Sequence, residues 1–244
     1  MFSTLFVIYG LVHIGLLVWV VRLYLSTRSA AVLMVIVPML ALWYDCLVIG
    51  LGRLLGPGDL LQALSYPRFW AHWAIGSFWI IAAGSIGRLA GLPFLGKRWV
   101  MGSLCLLTLL MIGIEIPHFF HLTLHPVCFA DTVRYSEVVA ANALCFPDQM
   151  PVSGGSPPIP PITTTAVILA VGIALWVRRG WPWMALGAIA MLFAAAVPTS
   201  RFGPAASNAG EIVLALAMVA SVARFLGEAG PERTRGAVGM RQAA

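Results

Sequence analysis

Charge is what this chain has least of. Asp, Glu, Lys and Arg make up 10% of its 244 residues, against about 25% in a soluble domain. That shortage excludes a disordered polypeptide and argues against a soluble fold. Familiar motifs are missing too. There is no phosphate-binding Gly loop, no CxxCH haem attachment, no nucleophile elbow and no HExxH. No lysine stands in the last apolar run to hold a retinal Schiff base, which argues against a rhodopsin-type pigment. No basic stretch precedes the first apolar run, which is also longer than the ~7–15 residues of a signal-peptide core, so it is expected to stay as a helix. No internal repeat of the kind that would support a transporter stands out.

What is present is apolar. Hydrophobic residues make up 60% of the chain, and mean hydropathy is +0.92. A helix needs about 20 such residues to cross the hydrocarbon core. Seven segments qualify or nearly qualify: 4–24, 30–52, 67–88, 99–122, 162–177, 181–198 and 205–226. Arg178, Arg179 and Gly180 separate the short fifth and sixth, and Pro182 suits a first helical turn. The expected fold is an all-α polytopic membrane protein. It is a single seven-transmembrane-helix bundle over 1–226, followed by a mobile cytoplasmic tail at 227–244.

The basic residues set an orientation. Arg22, Arg28, Arg88, Lys97, Arg98, Arg178, Arg179, Arg224, Arg233, Arg235 and Arg241 make eleven on one side; Arg53, Arg68, Arg134 and Arg201 make four on the other. The positive-inside rule then places the N-terminus outside and the C-terminus in the cytoplasm of a bacterial inner (cell) membrane. The net charge of +6 is explained by topology. Membrane lipids, and no nucleic acid, are the expected surroundings. Nothing in the sequence sets the oligomeric state.

The connection 122–161 is the only long one, and it ends in the irregular stretch PVSGGSPPIPP. It holds Cys128 and Cys145, for which an external disulfide is chemically reasonable. Cys46 and Cys105, inside spans, read as small packing residues. Gly52/Gly56 and Gly87/Gly91 have the spacing of small-residue helix contacts, at helix ends.

Ionisable residues inside spans are costly and tend to be functional. At 1.5 Å per residue, Asp45 and Glu115 fall about 10 Å below the outer ends of their helices, Glu211 about 9 Å, His72 about 8 Å and His13 about 13 Å. These depths predict one polar layer in the outer half, joined by His118, His121 and Asn208. Pro117 is expected to kink the fourth span between Glu115 and His118, and Pro38 to bend the second. Arg53, Arg68 and Arg201 lie at the mouth, placed to pair with the acids, to bind an anionic head group or to snorkel.

Desolvation favours the neutral form of a carboxylic acid, so a buried acid can serve as a general acid near neutral pH. Asp45, Glu115 and Glu211 are the candidates. Asp45 would initiate, Glu211 or Glu115 would assist or terminate, and His72, His118 and His121 would relay the proton. Trp43, Tyr44, Phe69, Trp70, Trp73, Phe119 and Phe120 lie beside the layer. Their faces can stabilise a carbocation, although an interfacial belt explains aromatics there as well. Trp43, Tyr44, Trp70, Trp73, Phe119, Asn208 and Arg201 are the expected substrate contacts. In size, spans and single acids at Asp45 and Glu211, the chain resembles the small membrane-bound terpene cyclases of fungal meroterpenoid and bacterial indole-terpenoid pathways. The resemblance implies acid-initiated cyclisation of a lipid-like isoprenoid, with Asp45 and Glu211 as the protonating machinery.

Two other readings compete. His118, His121 and His125 share a face if the helix continues that far, which would suit a divalent metal and a membrane lipid hydrolase. Buried carboxylates and histidines also mark proton-coupled transporters. No cofactor is favoured.

Overall fold

A computed structural model describes the backbone of residues 1–154 and 158–242, with side chains through residue 228. The expected tail at 227–244 therefore lies almost wholly outside the described side chains. The chain is mainly helical. In order it forms α1 (Phe2–Thr27), α2 (Ala30–Leu55), α3 (Asp59–Trp70), a π-helical turn (Ala71–Ile75), α4 (Trp79–Leu89), α5 (Pro93–Gly96) and α6 (Arg98–His121). A hairpin of β1 (His125–Phe129) and β2 (Thr132–Ser136) follows, then α7 (Ile159–Arg179), α8 (Trp183–Ala195), α9 (Thr199–Phe202) and α10 (Ala205–Gln242).

Among the described residues, five helices are long and apolar enough to cross a membrane: α1, α2, α6, α7 and the Ala205–Glu228 part of α10. The expected third span, 67–88, begins earlier and is broken. Asp59–Ile75 and Trp79–Leu89 meet at a 40° bend and together could form a sixth. Pro67, which lacks an N–H, stands one turn before the π-helical segment, where the regular bonding pattern has already been interrupted. The expected sixth span, 181–198, is helical only over Trp183–Ala195, about 20 Å at the α-helical rise against a hydrocarbon core of about 30 Å.

Outward faces are apolar where a soluble protein would be polar. Leu106, Leu109 and Leu110 of α6 are more than half exposed, as is Leu11 of α1. So is the contact surface of lipid rather than water. The core lies between α2, α4, α7, α8 and α10, around Met39, Ala83, Ile168, Leu175, Met184 and Met218. Lipid tails are as apolar as these side chains, so close approach rather than water exclusion holds the helices together. Gly172 shows how: a Cβ there would lie 2.5 Å from the Ala185 nitrogen, so α7 and α8 meet backbone to backbone. Gly180 closes α7 in the left-handed conformation at φ 65°, its N–H bonded to Trp176 O at 2.9 Å.

The all-α expectation holds, and the long connection adds one small sheet to it. Residues 125–136 form an antiparallel hairpin with Cys128 opposite Val133, and a single bridge joins Val139 to Val152. Sequence periodicity over five-residue strands is too short to separate them from a loop. The expected Cys128–Cys145 disulfide is present. The hairpin rests on the C-terminal end of α2, where a Cβ at Gly52 would run into the Val133 carbonyl. Tyr135 packs with Val48, Leu61, Leu122 and Leu124. The turn residue Asp131 accepts from the Met1 ammonium, from Phe2 N at 2.6 Å and, through its carbonyl, from Ser3 Oγ at 2.5 Å. α7 begins at Ile159, before the expected 162, and takes Pro160 and Pro161 into its first turn. Cys46 is buried as expected, whereas Cys105 is exposed and does not pack inside the bundle.

Candidate functional site

Three helices and the π-helical turn deliver the polar residues to one point near the hairpin end of the bundle. Asp45 comes from α2, Arg68 from α3, His72 from the π-helical turn, and Asn208 and Glu211 from the first turns of α10. Arg68 Nε lies 3.1 Å from Asp45 Oδ1, with side chains 5% and 13% exposed. The Asn208 amide nitrogen donates to Asp45 Oδ2 at 3.0 Å and to Glu211 Oε2 at 2.9 Å. His72 Nε2 lies 3.9 Å from Glu211 Oε1. Asn208 and Glu211 are three residues apart and share a helix face, so both meet α2 and α3 together.

Two cavities adjoin this network. The polar one, of about 180 Å³, is bounded by Asp45, Arg68, Phe69, Arg134, Ser207 and Asn208 among others. The second is narrow and apolar, about 60 Å³, with Ala41, Trp79, Thr164, Thr165, Met191 and Leu214 in its wall. His72, Trp73 and Glu211 line both. A π-helical turn widens the spacing of its side chains relative to the flanking helix, and such turns recur at functional sites. Here it carries both His72 and Trp73.

The single expected layer is divided in two by Trp73. Glu115 and His118 pair with each other on α6 at 3.5 Å. Trp73 stacks on Phe119 at 5.8 Å and meets His118 edge-on at 6.1 Å. Glu137, just after β2, faces this second group. Burial pushes its pKa up and the nearby His118 pulls it back.

Other expected residues stand apart. His13 is buried, its Nδ1 3.0 Å from Tyr9 O and 3.9 Å from Cys46 Sγ, and it lines neither cavity. Tyr44 donates to Leu64 O at 2.9 Å and ties α2 to α3. Trp43 faces a surface groove with Leu17 and Val18 of α1. Trp70 is 43% exposed beside Tyr66. Arg201 is exposed on α9, and Phe120 and His121 are exposed at the end of α6. The shared histidine face is not formed, because α6 ends at His121 and His125 opens β1. Among the described residues, no three His, Cys, Asp or Glu side chains are grouped to hold a metal ion.

Sequence reasoning missed Arg134, which the hairpin brings to the site, and Glu137, which it brings to the second group. One signal was available. Arg134 is the only Lys or Arg between Arg98 and Arg178. No family model matches the chain, and no curated protein matches it.

Proposed function

We propose that this chain is a membrane-embedded enzyme that acts on a lipid-like, isoprenoid-class substrate by acid-initiated cyclisation. One observation carries the reading. Glu211 and His72 stand where a hydrogen-bonded polar network meets an apolar cavity walled by Trp73 and Trp79. An apolar chain in that cavity would present a double bond to a carboxylic acid in a poorly hydrated setting, with aromatic faces nearby to stabilise positive charge.

The geometry favours exchanging the roles of the two acids. Asp45 spends its oxygens on Arg68 and Asn208, which suits a fixed counter-ion. Glu211 lines both cavities, which suits the proton donor. In the proposed cycle Glu211 gives its proton to the terminal double bond and the carbocation closes a ring. His72 takes the proton lost from the product and returns it to Glu211, so the net reaction is an isomerisation.

The membrane arrangement belongs to the same proposal. The bent pair α3–α4 and the short α8 join the five long helices as sixth and seventh spans, with the hairpin outside and α10 ending in the cytoplasm. Arg28 and Arg88 share a hollow with Leu226 at the end away from the hairpin, in keeping with the positive-inside rule. The membrane proposed is a bacterial inner membrane.

The test uses full-length protein in nanodiscs with a panel of polyprenyl olefins in D2O. The expected product is a cyclic isomer carrying one deuterium on carbon. No cyclic product across the panel, from folded protein, would overturn the reading.

A further inference from the structure

Among the described residues, no carboxylate lies within ion-pair distance of Arg134. Its Nε is buried without a hydrogen-bond partner, and among the described residues no ion pair or hydrogen bond reaches its side chain. It lines the polar cavity together with Asp45, Arg68, Asn208 and Glu211. Arg68 is itself incompletely satisfied. Its Nε faces Asp45 and its Nη2 donates to Tyr135 O at 2.9 Å, but Nη1 is buried and unpartnered.

Two guanidiniums thus share one cavity with orphaned N–H donors. Arg134 as a whole is half-buried, but enclosing an unsatisfied cationic N–H is costly, and the neighbouring Arg68 adds a second positive charge. Burial first, and then the neighbouring Arg68, lower the Arg134 pKa to about 10, with Asp45 pulling the other way. Of the two carboxylates in the wall, Asp45 is shared by Arg68 and Asn208, and Glu211 by Asn208 and His72. Neither is bonded to Arg134. Surface snorkelling does not describe an Nε turned inward.

We propose that Arg134 and Arg68 form an oxyanion-binding subsite, which holds the phosphate or carboxylate head of a lipid whose apolar chain enters the adjoining cavity past Trp73. Guanidinium groups match the planar, multi-acceptor geometry of such heads. His72, Trp73 and Glu211, common to both cavities, set the boundary between head and chain. Arg134 sits on β2 and Arg68 is tied to the β2 backbone at Tyr135. The disulfide-braced hairpin is therefore the roof of the subsite. The assignment of the head group rests on the proposed lipid substrate, while the cationic subsite stands on its own geometry.

The experiment measures binding by tryptophan fluorescence on full-length protein in nanodiscs. The probes are farnesyl monophosphate, farnesoic acid, farnesol and inorganic phosphate. At least one charged farnesyl probe is expected to bind tenfold or more tightly than both farnesol and inorganic phosphate. Arg134→Gln is expected to remove that preference and leave farnesol binding unchanged, which also reports an intact cavity. Arg134→Lys should retain most of it. Farnesol binding as tightly as both charged probes, or an undiminished preference in Arg134→Gln, would overturn the subsite. Inorganic phosphate binding as tightly as farnesyl monophosphate would overturn the lipid head group. Head-group selectivity without turnover of any olefin would sink the enzyme and keep the subsite; turnover of neutral olefins with no selectivity would do the reverse.

Discussion

Arg68 Nε stands 3.1 Å from Asp45 Oδ1, and this buried pair joins α3 to α2 just below the hairpin. Arg68 also lies over the Phe69 ring at 4.7 Å, so its guanidinium is held on two sides. Removing one partner of such a pair strands the other charge. Asp45→Asn is therefore expected to destabilise the protein by about 3–5 kcal/mol, whereas the double change Asp45→Leu, Arg68→Met recovers much of that loss. Thermal unfolding in detergent measures both. A single variant as stable as wild type would show that the pair contributes little.

Glu211→Gln keeps the side-chain volume and an oxygen that can accept from Asn208, but has no acidic proton. Cyclisation is expected to fall by about 10²–10⁴-fold, the usual contribution of a positioned general acid, with the unfolding temperature little changed. Single-turnover product analysis reads the first and calorimetry the second. Activity within a few-fold of wild type would remove Glu211 as the donor.

Ala41 contributes to the wall of the apolar cavity. Ala41→Leu narrows that space while leaving the polar network untouched. A loss of about tenfold in kcat/KM, equivalent to about 1.4 kcal/mol, is expected for long-chain substrates, with a smaller effect on short ones. A uniform effect on both chain lengths would mean that the chain lies elsewhere.

Asp131 anchors the hairpin to the start of α1. Its hydrogen bond with the Met1 ammonium is the main reason its pKa falls to about 2, and the Phe2 N–H adds to it. A carboxylate with a lowered folded-state pKa stabilises the fold above its unfolded pKa of about 3.9. That contribution is lost as pH falls toward about 2. Protection of the hairpin amides, taken as exchange relative to the intrinsic rate at each pH, should fall over this window in wild type. In Asp131→Asn that protection should already be lower at pH 6 and show no such step. Identical profiles for the two proteins would exclude the anchor.

The polar residues of the site were legible because a polar or ionisable group inside an apolar run is conspicuous. Asp45, His72, Asn208 and Glu211 all stand out in this way, and they meet in space. Depth alone could not separate Glu115 from them. Depth is a one-dimensional coordinate, whereas Trp73 divides the two groups sideways across the bundle. The metal face expected from His118, His121 and His125 failed for a related reason. Spacing carries a facing relationship only while the helix lasts, and α6 stops at His121.

Composition by itself determined that the chain is rich in membrane-length helices, because 60% hydrophobic residues leave few other ways to satisfy the backbone. It also marked the two loop cysteines as a plausible pair. Only the tertiary structure decided that the long connection is a hairpin, and that this hairpin carries Arg134 down to Arg68 and Asp45. A cation in a loop has no periodicity to declare its direction. Its role is set by what lies beneath it once β2 is seated against Gly52, and that contact joins parts of the chain far apart in sequence.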